Sequence, residues 1–490
     1  MELSTDVLAS YVPRFLLRQA AVDPSRFPRS VGERLDGAIL FADLVGFTRL
    51  ASEFARLGPG GAEQLTAVLN ACFGELVERI EAHGGDIVRF PGDAVLAVWP
   101  ARSEDELERG VLLAARCGLA LQQPFGTGGA AVAGLRLRVG IGAGEMLLAS
   151  VGGADERWEW VAAGSPLEQV ALAQGVAAPG DVVAAPEMWS LISTQARGEP
   201  REAGCVRVEA IGDTGALPAP QDPEVPSELA AVLRHYVPRP VLSRLEAGQT
   251  EWLAELRRIA VLFLKLDGID YTADDAFERL QDATTAIQSA IYRYDGALNQ
   301  LVVDDKGTVV LATWGVTLST HEDDASRAAL TALMMHDELA RLGLSGGIGI
   351  TTGRVFCGRR GNDRRSEYAV IGDVVNLAAR LMVAADSGVL CDQETFLAAS
   401  RRVRFESVPP ITVKGHAEPV VVHRPFAERR SASRDEGRVV GRDTERSRLA
   451  GRLDKLRRDG QGGVVVIEGE AGIGKSRLVA DLLDKARSGR

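Results

Sequence analysis

The string YVPRFLL at Tyr11 to Leu17 returns as YVPRPVL at Tyr236 to Leu242, and a similar succession of apolar runs follows each copy. A chain built on such a repeat folds as two homologous domains. After the first string, GAILFADLVGFTRL (Gly37 to Leu50) reads as a strand entering a turn. After the second, RIAVLFLKLDGID (Arg258 to Asp270) reads as the same strand with altered chemistry. In Ala62 to Gly85 the residues Leu65, Leu69, Phe73, Leu76 and Ile80 recur at helical spacing, closed by a glycine pair. The second copy has a comparable helix near Ala276 to Tyr292. Two apolar runs around Pro-Gly-Asp, Asp86 to Trp99, predict a β-hairpin, with Tyr294 to Trp314 as counterpart. Leu135 to Gly153 matches Leu344 to Gly361, and Ala162 to Gln174 matches Val370 to Met382. Helices alternating with largely antiparallel strands make each copy an α+β domain.

The 490 residues carry 67 acidic against 56 basic side chains, a net charge of −11, which argues against a bulk electrostatic grip on nucleic acid. An anionic partner should therefore be small. The five cysteines form no CxxC or even framework, which suits a reducing compartment and predicts a cytoplasmic location. No basic segment with a long apolar run opens the chain, and no uncharged apolar stretch is long enough to span a bilayer, so no membrane partner is expected.

Asp43 stands where a strand gives way to a turn, and Asp93 stands at a hairpin tip. If the hairpin lies beside that strand, two hard oxygen anions meet at one sheet edge, a pattern suited to divalent metal held against phosphate; singly, each also reads as a turn aspartate. Leu44, Val45, Gly46, Phe47 and Thr48 offer backbone N–H groups that could cradle phosphate oxygens, with Phe47 mainly a packing residue. Near the end, a strand at Val464 to Ile467 precedes GxxxxGK[ST], in which Gly469, Gly474, Lys475 and Ser476 would wrap nucleotide phosphates and Mg²⁺. The few residues after it read as a third domain cut short, unfolded or non-functional in this chain.

FADLVGFT (Phe41 to Thr48), RFPGDAVLAVW (Arg89 to Trp99) and VIGDVVNLAARL (Val370 to Leu381) together resemble the class III nucleotidyl cyclases. Tandem copies before a P-loop resemble the soluble, bicarbonate-responsive adenylyl cyclase branch. The resemblance implies two ferredoxin-like domains (βαββαβ) forming a pseudo-twofold intramolecular dimer, hence a monomer. The expected divisions are a lead-in over 1–34, a first cyclase domain over 35–213 and a linker over 214–255. A second cyclase domain over 256–426, a linker over 427–438 and a truncated P-loop segment over 439–490 follow. VVGRDTE at Val439 to Glu445 resembles the usual entry to that ATPase class.

The resemblance also implies the roles. Asp43 and Asp93, with the Leu44 carbonyl, would hold two Mg²⁺ or Mn²⁺ ions; Asn376 would orient the ribose, and Arg380 would stabilise charge on the α-phosphate of ATP. Arg138 stands where the family often places a basic residue for the terminal phosphate, and Lys414 where similar cyclases carry a lysine. The base-reading positions depart from the family: Gln300 replaces the adenine-binding lysine, and Ala369 its polar partner. The implied product is 3′,5′-cyclic AMP with pyrophosphate; the alternatives are a guanylate cyclase or a silent nucleotide-sensing module regulating the ATPase region. The opposite pocket should be catalytically dead, with Lys265 for Asp43, Asp304 or Asp305 near the place of Asp93, Glu168 for Asn376 and Leu172 for Arg380. Arg89 stands at the place of a bicarbonate-binding lysine and offers a place for a small anion, but Ala171 stands where the arginine belongs, which predicts weak or no bicarbonate response.

Overall fold

In each copy the first apolar run becomes a central strand buried on both sides, and the remaining strands assemble around it. The structure is a computed structural model. It describes residues 4–47, 50, 53–54, 59–126, 134–212, 225–248, 255–304, 307–316, 320–413, 418–429, 441–468 and 474–488. Met1–Glu428 form one compact unit and Arg429–Arg490 another.

The first copy contains β1 (Val31–Val45), β2 (Asp86–Arg89), β3 (Ala94–Ala101), β4 (Arg136–Gly152), β5 (Trp158–Gly164), β6 (Val182–Ala184), β7 (Ala196–Pro200) and β8 (Val206–Ile211). The second contains β9 (Glu255–Asp267), β10 (Ala297–Asp304), β11 (Gly307–Trp314), β12 (Ser345–Gly361), β13 (Ser366–Ile371), β14 (Val389–Asp392), β15 (Val403–Ser407) and β16 (Val422–Glu428). The sheets run β2-β3-β1-β4-β6-β8-β7 and β10-β11-β9-β12-β14-β16-β15, with β5 on β4 and β13 on β12. The same order twice is the repeat written in hydrogen bonds. The expected helices are present as Pro59–Ala82 and Ala276–Arg293.

One apolar cluster joins both copies, with Leu147, Val161 and Leu167 of the first alongside Leu262, Ile287 and Val370 of the second. Polar contacts cross as well, since Gln281 of the second copy bonds the backbone N–H and carbonyl of Gly152 at 2.9 and 2.7 Å.

The two lead-in strings cross-brace this unit. The Ser366 N–H of β13 donates to the Ser10 carbonyl at 2.7 Å, and the Trp158 N–H of β5 donates to the His235 carbonyl at 3.0 Å. The residue just before each string therefore bonds to the copy that the string does not introduce. The helix Arg14–Val22 follows Pro13, which has no capping side chain, and the carboxylate of Asp86 instead accepts from the N–H groups of Arg14, at 3.0 Å, and Phe15. Part of the expected linker is likewise structural. Leu233, Tyr236, Val237, Val241 and Leu242 are buried around the helix Arg239–Glu246, and the Tyr236 hydroxyl meets Ser150 at 2.8 Å. The stretch 213–224 lies outside the described residues.

In the second unit the helices Asp443–Asp459 and Lys475–Ser488 pack through Arg446 and Asp481, 2.8 and 3.0 Å apart. The expected strand at Val464 to Ile467 is absent from the structure. Val464 and Val466 are 93% and 74% exposed and pair with no strand among the described residues, and a lone strand leaves its backbone groups and apolar side chains without partners.

Candidate active site

Asp43 stands near the end of β1 between the buried Ala42 and Leu44 and is in register with Ala94 of β3 on one side and Arg138 of β4 on the other. The hairpin does lie beside the strand: the Leu44 N–H donates to the Asp93 carbonyl at 3.1 Å. Gly92, at φ +58°, makes the turn that sets Asp93 next to Asp43, a conformation that suits glycine. Burial first, and the Asp43 charge second, push the Asp93 carboxyl up to about 6. The Arg138 guanidinium pairs with the Asp43 carboxylate.

On the second copy, β12 lets the helix Asp373–Ala384 come very close. A Cβ on Gly349 would lie 2.1 Å from the Ala378 carbonyl and 2.4 Å from the Met382 nitrogen, so only glycine admits the helix at this height. That contact places Asn376.

A cavity of about 480 Å³ opens between the copies, lined by Asp43, Asp93 and Arg138 from the first and by Gln300, Ala369 and Asn376 from the second. Six residues singled out from sequence thus meet at one site. Arg380 is on the same helix as Asn376, partly exposed, and lies outside the cavity wall. Phe47 is 4% exposed in the first copy's apolar core, as its packing role requires. Leu44 is likewise buried, Val45 ends β1, and Gly46 turns at φ +95°. Thr48, Lys414, Asp305 and Gly469 lie outside the described residues, as does the side chain of Ser476. Gly474 and Lys475 stand at the start of the last helix, in the second unit.

Sequence reasoning missed a buried charged lattice that reaches the cavity wall through Arg360. Arg360 of β12 is 2% exposed, donates to the Phe90 and Gly92 carbonyls, stacks over Phe73 and Phe90 with its guanidinium carbon 4.7 and 5.2 Å from the ring centres, and lies 3.6 Å from Glu367. Burial pushes its guanidinium down to about 10. Arg365 donates to the Ile87, Val88 and Ser366 carbonyls at 3.1, 2.8 and 2.8 Å. The second copy thereby grips the hairpin that carries Asp93. RRGNDRRSE reads as a solvated run. The available signal was Arg360 inside a strand, where the first copy has Val151.

The other half of the cavity is mostly apolar, walled by Leu167, Val170, Ala171 and Phe263, with Gln174 also lining the cavity. Lys265 pairs with Asp267 at 2.9 Å, and neither Lys265, Glu168 nor Leu172 lines the cavity. Arg89 is 8% exposed and pairs with Glu159, with Glu367 at 3.9 Å. Its charge is already compensated, which does not favour the anion role expected for it. Among the described residues no group of three or more His, Cys, Asp or Glu side chains could hold a metal, and no helix is long and apolar enough to cross a membrane. Asp43 and Asp93 remain a donor set of hard oxygens whose mutual repulsion a divalent cation would relieve, so the residues fit such an ion.

Residues 33–201 and 273–423, well over half of the chain, match the family described as the adenylate and guanylate cyclase catalytic domain. The chain belongs to that family, with tandem catalytic domains. Residues 438–489 match the AAA ATPase domain. Adenylate cyclase type 10 of rabbit (Oryctolagus cuniculus) is 26% identical over 501 residues, covering 91% of this chain and 30% of the relative; the mouse (Mus musculus) protein is 28% identical over 440 residues, covering 79% and 26%. The chain thus spans under a third of these relatives. A crystal structure of a class III adenylyl cyclase-like ATP-binding protein from Pseudomonas aeruginosa covers 81% of this chain and 93% of its own at 15% identity, with a TM-score of 0.54, a likeness of fold.

Proposed function

We propose that this chain is an adenylate cyclase that converts ATP to 3′,5′-cyclic AMP and pyrophosphate at one active site between two ferredoxin-like copies in pseudo-twofold arrangement. The observation that carries this reading is the convergence of Asp43, Asp93, Arg138, Gln300, Ala369 and Asn376 on one cavity from two separate copies. The domain divisions follow the repeat: 35–213 supplies the carboxylates and 256–426 supplies Asn376 and Arg380. Asp43 and Asp93, with the Leu44 carbonyl, would hold two Mg²⁺ or Mn²⁺ ions, which when bound favour the 3′-alkoxide and neutralise the triphosphate. Asn376 orients the ribose so that its 3′-oxygen faces the α-phosphorus, making the attack effectively unimolecular. The 3′-oxygen to phosphorus bond forms, the bond to the β-phosphate bridging oxygen breaks, and the hydroxyl proton leaves to solvent. Arg380 swings from its outer position to meet charge on the α-phosphate, and Arg138 exchanges Asp43 for the terminal phosphate. In the second unit, Gly474, Lys475 and Ser476 would bind nucleotide phosphates within a fuller ATPase domain. The protein works as a cytoplasmic monomer.

Product formation from ATP and from GTP with Mg²⁺ or Mn²⁺, resolved by chromatography, tests this reading: cyclic AMP with pyrophosphate supports it. Cyclic GMP alone makes the protein a guanylate cyclase. A second reading, a silent nucleotide-binding module, is favoured by the Arg138–Asp43 pair and by Arg380 outside the cavity. Nucleotide binding with no cyclic product under either metal would establish it.

A further inference from the structure

We infer that Gln300 reads the nucleotide base as a hydrogen-bond acceptor, its amide held in one orientation by Phe90 and Glu367. The inference rests on the cyclase reading for the class of ligand and deepens it by naming the base edge that is recognised. Gln300 lines the cavity at the first paired position after the irregularity in β10, while its Nε2 turns away to donate to the Phe90 carbonyl at 2.9 Å and to the Glu367 carboxylate at 3.1 Å. Phe90 presents a carbonyl and Glu367 a carboxylate, and both accept. Turning the amide over would set its oxygen against two other oxygens, so the orientation is decided by chemistry.

Glu367 cannot move aside to relax this arrangement. It is 6% exposed, accepts from the Phe90 N–H at 3.2 Å and is flanked by Arg365 at 3.4 Å and Arg360 at 3.6 Å. With Nε2 engaged twice, Gln300 Oε1 has no hydrogen-bond partner among the described residues and is the polar atom left for the cavity. Ala369, 2% exposed, contributes only a methyl group. A base entering here meets an acceptor from this pair of residues. It is selected for an N–H donor on its six-membered ring: the 6-amino group of adenine, or the N1–H and 2-amino groups of guanine. A purine carrying hydrogen at C6 and C2 offers none.

The test compares ATP, GTP and purine riboside 5′-triphosphate, by initial rate and by displacement of a fluorescent ATP analogue from the same protein. Purine riboside triphosphate should fall about ten- to a hundredfold below ATP in kcat/KM and in affinity, because Oε1 would be left facing C–H. Gln300→Met, which keeps the length and removes the acceptor, should abolish the preference for ATP over the analogue, whatever the loss of the two Nε2 bonds does to both rates alike. Preference for ATP assigns the 6-amino group as the donor, and preference for GTP assigns the N1–H edge; either supports acceptor reading. Equal use of the analogue and ATP by the unsubstituted protein overturns it, a result that stands even where the variant does not fold. Discrimination that survives in Gln300→Met overturns it too. Displacement that follows the expected order without any cyclic product removes the cyclase reading and leaves the base reading intact.

Discussion

Where β1 of the first copy brings Asp43 against Arg138 of β4, β9 of the second copy brings Lys265 against Gly347 of β12. The backbone pairing is the same, but an acid–base pair between the two strands has given way to a lysine that pairs within its own strand, with Asp267, opposite a glycine. Asp43 and Arg138 line the shared cavity and Lys265 and Gly347 do not, so one half is polar and the other mostly apolar, walled by Leu167, Val170 and Phe263. The comparison teaches that a duplicated sheet preserves placement, while chemistry is carried by a few side chains at strand ends that the fold does not need.

The largest effect expected from breaking this asymmetry is at the carboxylates. Asp43→Asn or Asp93→Asn should lower cyclic nucleotide formation by at least about a hundredfold, while Lys265→Ala at the matching position leaves the rate near that of the parent. Undiminished turnover in either aspartate variant would move the metal site elsewhere. Next comes the helix seat. Gly349→Ala forces a Cβ to 2.1 Å from the Ala378 carbonyl beneath Asn376 and should cost about tenfold to a hundredfold in kcat/KM. Gly140→Ala, 2.9 Å from the Val170 carbonyl under the apolar half, should lower thermal stability with a smaller loss of activity. Equal activity losses in the two would mean that the halves contribute alike.

Arg360→Met should destabilise the unit by about 2–4 kcal/mol in denaturant unfolding, since the Phe90 and Gly92 carbonyls lose their donor and Glu367 a guanidinium. Lys265→Met, whose parent ion pair is partly exposed, should stay within about 0.5 kcal/mol. The smallest effect concerns pH. Because Asp93 is raised to about 6 in the folded state from the usual 3.8, the folded protein binds this proton more readily than the unfolded one. Without divalent cation, its contribution to stability should therefore increase as pH falls from about 6 towards 4. Thermal unfolding of the parent against Asp93→Asn reads it; an equal pH slope in both would remove the assignment.

The order of elements in both copies was legible because it rests on periodicity and turns: the hairpin around Pro91, Gly92 and Asp93 and the helix bearing Leu65, Leu69 and Phe73 are where their patterns place them. Asp43, Asp93 and Asn376 were legible because short strings around them carry the family pattern. Arg360, Arg365 and Glu367 were not, since their burial follows from contact with the other copy, and nothing local in a charged run marks it as interior. The missing strand at Val464 to Ile467 is the converse case: its composition suits a strand, but among the described residues no neighbour pairs with it. Arg380 shares a helix with Asn376, yet only Asn376 lines the cavity, so a string that places both on one element does not by itself place both in one site.

The crossed lead-ins bear on what separation of the copies would do. Ser10 and His235 each clasp the partner that their own copy lacks. A polypeptide ending before residue 227 would keep its clasp and lose the surface it grips, yet would still display the edge at Trp158 that receives such a clasp. Two such fragments are complementary to one another, so excision of one copy converts an internal partnership into self-recognition. Joining the copies in one chain makes their partnership unequal by construction, which frees one pocket to drift while the other is maintained.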